Sequence, residues 1–184
     1  MEKTTLEYTN VMNVCREIFE KKSLDYGPSW RILRPSSLTD QIFIKAQRIR
    51  TIQETGENKV GESFEDAFMA IVNYCIMAII QLRHEAKLND EMTVEQAVEA
   101  YKKVEKEAFE LMQKKNHDYG EAWRDMRVSS MTDLILMKIF RTKQIEDNQG
   151  VTIVSEGVEA NYQDMLNYAV FCLIQLKNLQ SNNQ

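Results

Sequence analysis

The chain has 184 residues, of which 43% are apolar, and a formal net charge of −5. This length and apolar content predict a globular protein with a buried core. A net negative chain without a continuous basic stripe argues against a nucleic-acid-binding protein.

The cysteines and the apolar runs indicate where the protein works. Cys15, Cys75 and Cys172 lie in apolar helical patterns without a CxxC or Cys/His spacing, which predicts neither a disulfide framework nor a zinc site. Residues 1–10 lack the basic and apolar regions of a signal peptide. The longest apolar run, residues 67–80, contains Asn73 and is too short to span a bilayer. We therefore expect a soluble cytoplasmic protein that does not enter a membrane.

Helical patterns dominate the chain, which holds only six glycines and two prolines and is therefore predicted to be all-α. The first predicted helix has capping-box spacing from Thr4 to Glu7, and Gly27 is expected to end it in the left-handed conformation. One apolar face of this helix is formed by Tyr8, Val11, Cys15, Ile18 and Phe19.

Two further helices follow in the first half. The second is predicted to start at Ser37–Asp40 with Thr39 as its cap, and to run to about Gln53. The third spans about residues 62–82 and is apolar nearly all round in its later turns, which predicts a central, buried helix.

The second half repeats the first. Residues 21–40, "KKSLDYGPSWRILRPSSLTD", return at residues 114–133 as "KKNHDYGEAWRDMRVSSMTD", with 12 of 20 positions identical. The second half has the same helix signals: capping-box spacing from Thr93 to Gln96, a helix end at Gly120 and a cap at Thr132. Its second helix should reach about Ile145, and its third should cover about residues 156–176. The sequence thus predicts two three-helix repeats, residues 1–90 and 91–184, joined near residues 87–93 and packed as one pseudo-two-fold helical bundle.

Most residues that are identical between the repeats are polar. Packing does not explain this identity, because a buried position accepts different apolar residues of similar volume. Within each repeat, a basic block is followed by an acidic block: residues 21–50 hold seven basic and two acidic groups, and residues 54–66 hold five acidic and one basic. This arrangement would suit a metal-bound polyphosphate, because carboxylates bind Mg²⁺ and the neighbouring Lys and Arg side chains bind phosphate oxygens. Solvated helix faces that pair with each other are the alternative.

Two Glu-x-x-Glu pairs are the candidate metal ligands, because residues three apart on a helix lie on one face. They are Glu62 with Glu65, and Glu156 with Glu159; Asp66 and Asp164 add one acid each. Asp164 lies deep in an apolar helix, where either a metal or a basic partner would satisfy its charge.

The remaining candidates would bind a substrate. Asn73 and Asn167 could contact a ligand or make hydrogen bonds between helices. Lysines and arginines would contact phosphate, and tyrosines and tryptophans would stack a base, with solvation and core packing as the respective alternatives. These candidates are Lys22, Lys115, Arg31, Arg124, Lys45, Arg48, Lys138, Arg141, Tyr26, Tyr119, Trp30 and Trp123.

The motifs Asp-Tyr-Gly-x-x-Trp, Thr-Asp, Lys-x-x-Arg, Glu-x-x-Glu and Asp-x-x-Asn-Tyr, taken in order, resemble the nucleotide modification associated domain, type 1. The resemblance covers nearly the whole chain as two copies. That family in turn looks like a distant relative of the all-α nucleotide pyrophosphohydrolases, the MazG and dimeric dUTPase group, in which helical carboxylates bind Mg²⁺.

The resemblance implies a nucleotide or another phosphorylated small molecule as ligand, Mg²⁺ as cofactor, and hydrolysis between the α and β phosphates. It implies Glu62, Glu65, Asp66, Glu156, Glu159 and Asp164 as metal ligands, with Glu65, Glu159 and Asp164 the most important for catalysis. Neither copy has the full pattern, because Ala70 and Ala160 replace two expected aspartates. A non-catalytic module that binds a ligand or a protein is the alternative, and the sequence leaves open whether the chain forms a homo-oligomer.

Overall fold

The computed structural model describes residues 2–84 and 92–182. Within these residues the chain forms six α-helices and two short 3₁₀ turns, Ser29–Ile32 and Ala122–Asp125, and no strand. The helices are α1 (Glu2–Tyr26), α2 (Pro35–Thr55), α3 (Phe64–His84), α4 (Val94–Tyr119), α5 (Val128–Asp147) and α6 (Val158–Asn182). The all-α prediction is confirmed, and both halves have the same order of elements. Most of the predicted link, and the predicted boundary between residues 90 and 91, lie outside the described residues.

Helices α3 and α6 form the centre of the bundle and make the most extensive helix–helix contact. Eleven of the 21 residues of α3 are buried, as expected for a helix that is apolar nearly all round. Helices α2 and α5 contact each other and pack on α3 and α6, and α1 and α4 also contact each other. The two repeats therefore share one hydrophobic core.

Two reciprocal hydrogen bonds join the repeats in this core. The hydroxyl of Tyr8 donates to Oδ1 of Asn167 over 2.7 Å, and the hydroxyl of Tyr101 donates to Oδ1 of Asn73 over 2.8 Å. Tyr8 and Tyr101 occupy matching positions in α1 and α4, and each bonds to the central helix of the other repeat. The pseudo-two-fold relation is therefore visible in individual contacts.

The predicted helix ends hold for the first helix of each repeat. Helix α1 stops at Tyr26 and α4 at Tyr119, and the following Gly27 and Gly120 have φ angles of 69° and 58°. An L side chain is strained in this left-handed region, which explains why glycine stands at both positions.

One of the two predicted capping boxes is present. The amide of Gln96 donates to Oγ1 of Thr93 over 3.2 Å, and the amide of Thr93 donates to Oε1 of Gln96 over 2.9 Å. The box predicted at Thr4 is wrong, because α1 already begins at Glu2. Thr4 is buried and exchanges hydrogen bonds with Glu121 and Arg124 in the other repeat.

The predicted starts of the second helices are also wrong. Helices α2 and α5 begin at Pro35 and Val128, one turn before Thr39 and Thr132. Each threonine hydroxyl donates to the carbonyl four residues earlier, over 3.2 and 3.0 Å. Threonine makes such bonds inside helices as well as at caps, so its position alone did not fix the helix start.

By length and composition α3 could cross a membrane, and it is the one described helix that could. Most of its apolar stretch is buried inside the bundle, as in the core helix of a globular protein.

Candidate functional site

The 3₁₀ turn after each first helix is held against the central helix by a glutamine side chain. Nε2 of Gln81 donates to the carbonyls of Arg31 and Leu33 over 2.8 and 2.6 Å. Nε2 of Gln175 does the same for the carbonyls of Trp123 and Met126, over 2.7 and 2.9 Å. These contacts position Trp30 and Trp123. Neither glutamine was predicted from the sequence, although the repeat places them at matching positions.

A cavity of about 590 Å³ lies within the first repeat, between α1, the turn after it, α2 and α3. Its apolar wall includes Ile18, Phe19, Met69 and Met77. Seven of the residues predicted to form a site line it: Lys22, Tyr26, Trp30, Lys45, Glu62, Asp66 and Asn73. The cavity thus combines an aromatic and apolar surface with charged groups of both signs, as small-molecule sites commonly do.

The charged groups of this cavity are only partly neutralised. Nζ of Lys45 lies 2.7 Å from Oε1 of Glu62, and Nη1 of Arg48 lies 3.6 Å from Oε2 of the same carboxylate. Nη2 of Arg48 also donates to the main-chain carbonyl of Glu62 over 2.7 Å. The side chains of Lys22 and Asp66 are exposed and make no hydrogen bond or ion pair with another described residue. A ligand would therefore meet one unpaired lysine and one unpaired carboxylate.

Asn73 lines the cavity, but its amide already has protein partners. Its Oδ1 accepts from Tyr101, and its Nδ2 donates to the carbonyl of Cys15 over 3.1 Å. Asn167 is held in the same way by Tyr8 and by the carbonyl of Ala108, at 3.3 Å. The sequence left open whether Asn73 and Asn167 contact a ligand or make hydrogen bonds between helices, and the structure shows hydrogen bonds between helices for both.

The six predicted metal ligands do not converge. Helices α3 and α6 begin two residues after Glu62 and Glu156, so the two members of each Glu-x-x-Glu pair do not share a helical face. Oε1 of Glu65 accepts a hydrogen bond from Gln180, and Glu159 pairs with Arg83. Among the described residues, no group of three or more His, Cys, Asp or Glu side chains is placed to hold a metal ion.

Asp164 has a basic partner on each side. Its two oxygens lie 2.5 Å from Nζ of Lys115 and 2.7 Å from Nζ of Lys138, and its side chain is only 11% exposed. Burial opposes ionisation, but the hydrogen bonds from the two lysines outweigh it, so the pKa of Asp164 lies below its usual value. The sequence left open whether a metal or a basic residue satisfies the charge of Asp164, and the structure shows two basic residues in contact with it.

Two of the four predicted arginines, Arg31 and Arg124, make contacts within the fold. Arg31 is buried and donates to the side chain of Gln81. The guanidinium of Arg124 lies 4.4 Å from the ring centre of Trp123 and bonds to Glu7 at 2.6 Å. Burial and these partners favour a packing role for both residues.

The other predicted residues of the second repeat lie in different surroundings. Tyr119 is 73% exposed. Lys138, Arg141 and Glu156 line a separate open cavity of about 780 Å³ beneath the loop between α5 and α6.

In the second repeat, the ring of Phe171 stacks on Trp123, with 4.3 Å between the ring centres and 4° between the planes. The corresponding residue in the first repeat is Met77, which lines the cavity there. The aromatic surface next to the retained tryptophan is thus covered by the chain itself in the second repeat.

The structure therefore describes an all-α protein of two three-helix repeats, with a small-molecule-sized cavity inside the first. A family model, nucleotide modification associated domain 1, matches residues 22–82 and 115–176, which together make up more than half of the chain. The chain belongs to this family and carries two copies of its domain. No match was found among the curated proteins or among the solved structures.

Proposed function

We propose that this protein binds a nucleotide in the cavity of the first repeat. The observation that carries the proposal is the composition of that cavity, in which residues retained between the repeats meet at one place. Membership of a family associated with nucleotide modification supports the same ligand class.

Each part of a nucleotide would find a complementary surface. The base would lie against Trp30 and the apolar side chains of α1 and α3, since stacking on an aromatic ring is open to every base. The phosphates would approach Lys22 and Lys45, whose ammonium groups can be reoriented on flexible stems. Lys22 is the more available of the two for phosphate, because Lys45 pairs with Glu62 whereas Lys22 makes no ion pair with another described residue.

A nucleotide pyrophosphohydrolase is the more specific form of this proposal, and the carboxylates of the cavity favour it. Glu62 and Asp66 line the same space, and Mg²⁺ is commonly held by one or two carboxylates together with substrate phosphates. These two residues therefore fit Mg²⁺ bound with a nucleotide, which would neutralise phosphate charge and polarise the phosphoryl group. Glu65, Glu159 and Asp164 point to other partners and would contribute indirectly.

The binding proposal is tested by thermal unfolding with a panel of ribonucleotides and deoxyribonucleotides, each with and without Mg²⁺. A ligand at about 100 times its Kd stabilises a protein by about 2.7 kcal/mol. For a chain of this size that raises the Tm by about 5–10 °C. Failure of every nucleotide to raise the Tm would refute the proposal.

A matched pair of lysine variants locates the site. Lys22 lines the cavity, whereas its neighbour Lys21 is exposed and pairs with Glu17 at 2.6 Å. We expect Lys22→Met to weaken nucleotide binding by about tenfold, the equivalent of a 1.4 kcal/mol contact, and Lys21→Met to leave it unchanged. Equal effects of the two substitutions would place the nucleotide elsewhere.

Hydrolysis is measured separately, as pyrophosphate release with Mg²⁺. We expect Glu62→Gln and Asp66→Asn to abolish release while retaining the fold. Absence of pyrophosphate release by the wild-type protein would refute the hydrolase form and leave nucleotide binding as the function. Normal release by both variants would refute the roles assigned to Glu62 and Asp66.

A further inference from the structure

The two repeats differ at two positions that line the cavity of the first repeat. Ala70 and Met77 line the cavity of the first repeat, and Asp164 and Phe171 occupy the matching positions in the second. A methyl group is therefore replaced by a carboxylate, and a flexible thioether by an aromatic ring.

The carboxylate of Asp164 marks a position for an anion. It is bound by Lys115 and Lys138, which correspond to Lys22 and Lys45 in the first repeat. Without an acid at residue 70, Lys22 has no partner among the described residues and Lys45 pairs with Glu62 instead. Lys22, Lys45 and Ala70 thus line one cavity, which lacks the carboxylate that pairs with the two matching lysines in the second repeat.

The ring of Phe171 marks a second position. It lies parallel to Trp123 at a stacking distance. In the first repeat Trp30 and Met77 line the cavity at the matching positions, and the ring of Trp30 is tilted by 53° relative to Phe19. The flexible side chain of Met77 therefore takes the place of the stacking ring in the first repeat, where both Met77 and Trp30 line the cavity.

We infer that the second repeat imitates, with its own side chains, the ligand-bound state of the first. Asp164 stands for an anionic group held between Lys22 and Lys45 beside Ala70, and Phe171 stands for a planar ring stacked on Trp30 beside Met77. This inference rests on the proposed function and specifies how the ligand lies in the cavity.

The separation of the two positions defines the ligand class. Residues 70 and 77 are seven apart on α3, which corresponds to about 10 Å along the helix axis at 1.5 Å per residue. A base and a phosphate group joined through a sugar extend over a distance of this order. The ligand is therefore a nucleotide lying along α3, with its base toward the C-terminal end of the helix and its phosphates toward the N-terminal end.

The first test places the internal carboxylate in the open cavity. Calorimetric titration with ATP, and with inorganic pyrophosphate as a probe of the anion position alone, compares the wild-type protein with Ala70→Asp and Ala70→Asn. We expect Ala70→Asp to weaken both ligands by tenfold or more, on the order of 1.4 kcal/mol, because its carboxylate repels phosphate and takes the two lysines. Ala70→Asn adds nearly the same volume without charge, and should weaken them by less than about threefold.

The outcomes separate the two proposals. If the wild-type protein binds ATP but Ala70→Asp and Ala70→Asn bind it with equal affinity, the inference is overturned and the proposal of nucleotide binding remains. A wild-type protein that binds neither ATP nor pyrophosphate would refute the nucleotide site itself. Circular dichroism of each variant establishes that the comparison is made on folded protein.

The second test opens the filled repeat. The double variant Asp164→Ala, Phe171→Met copies the first-repeat residues, so we expect it to bind two ATP molecules per chain where the wild-type protein binds one. Phe171→Met alone keeps the internal carboxylate and should still bind one. A folded double variant that binds only one ATP would contradict the inference.

Discussion

The hydrogen bond from Tyr8 to Asn167 gives a sharp test of how the repeats are held together. Tyr8 is 1% exposed, and its hydroxyl lies 2.7 Å from Oδ1 of Asn167. Tyr8→Phe removes the donor and leaves a buried acceptor, which costs about 2–3 kcal/mol. At about 2–4 °C per kcal/mol for a chain of this size, we expect the Tm to fall by about 4–12 °C.

The matching bond beside the cavity should be less sensitive. Tyr101→Phe removes the same contact from Asn73, but Asn73 lines a cavity large enough for water to replace the lost donor. We expect a loss of about 1 kcal/mol there, close to the net value of one hydrogen bond. Tyr26→Phe, which removes a hydroxyl from a residue that is 60% exposed, serves as the control and should leave the Tm unchanged.

Thermal unfolding followed by circular dichroism and calorimetry measures all three variants. An unchanged Tm in Tyr8→Phe would refute the assignment of this bond as a stabilising contact between repeats. A larger loss in Tyr101→Phe than in Tyr8→Phe would refute the argument that water from the cavity compensates.

Two further predictions concern buried polar groups. Glu146 accepts hydrogen bonds from Thr39 and Tyr162 at 2.9 and 3.1 Å, and burial raises its pKa above 4.5. Because burial disfavours the ionised carboxylate, ionisation of Glu146 opposes folding, and Glu146→Gln should raise the Tm at pH 7. This gain should shrink as the pH falls through the folded-state pKa and disappear well below 4.5, where Glu146 is protonated in both states. A gain that is constant with pH would contradict the assignment. Gln175→Ala removes the donor that holds the turn carrying Trp123. This substitution should lower the free energy of unfolding by about 1–3 kcal/mol and weaken the near-ultraviolet circular dichroism of Trp123. An unchanged near-ultraviolet signal would show that the turn does not depend on Gln175.

The helices were readable from the sequence because their signals are local. Apolar periodicity and the two Asp-Tyr-Gly segments predicted where α1 and α4 run and end, and the structure agrees at Gly27 and Gly120. The starts at Thr39 and Thr132 were misplaced because a threonine hydroxyl can bond to the backbone at a cap or inside a helix. A single local preference does not distinguish these two uses.

The candidate site was readable only in part. The internal repeat singled out the residues that line the cavity, since polar residues retained twice in one chain are not explained by packing alone. Whether a retained lysine faces a ligand or an internal carboxylate depends on a residue from another helix, as Lys115 and Asp164 show. The sequence therefore predicted the residue types that line the cavity, but it favoured Glu159 and Asp164 of the second repeat for catalysis, whereas this cavity lies in the first repeat.

The reciprocal bonds of Tyr8 and Tyr101 have the pattern of an isologous interface between two identical subunits, here contained within one chain. In a symmetric dimer every substitution appears twice, so filling one binding site would fill both. A covalent tether removes that constraint, because each half is encoded separately while the interface is retained. One half can then give up ligand binding and serve as a scaffold for the other.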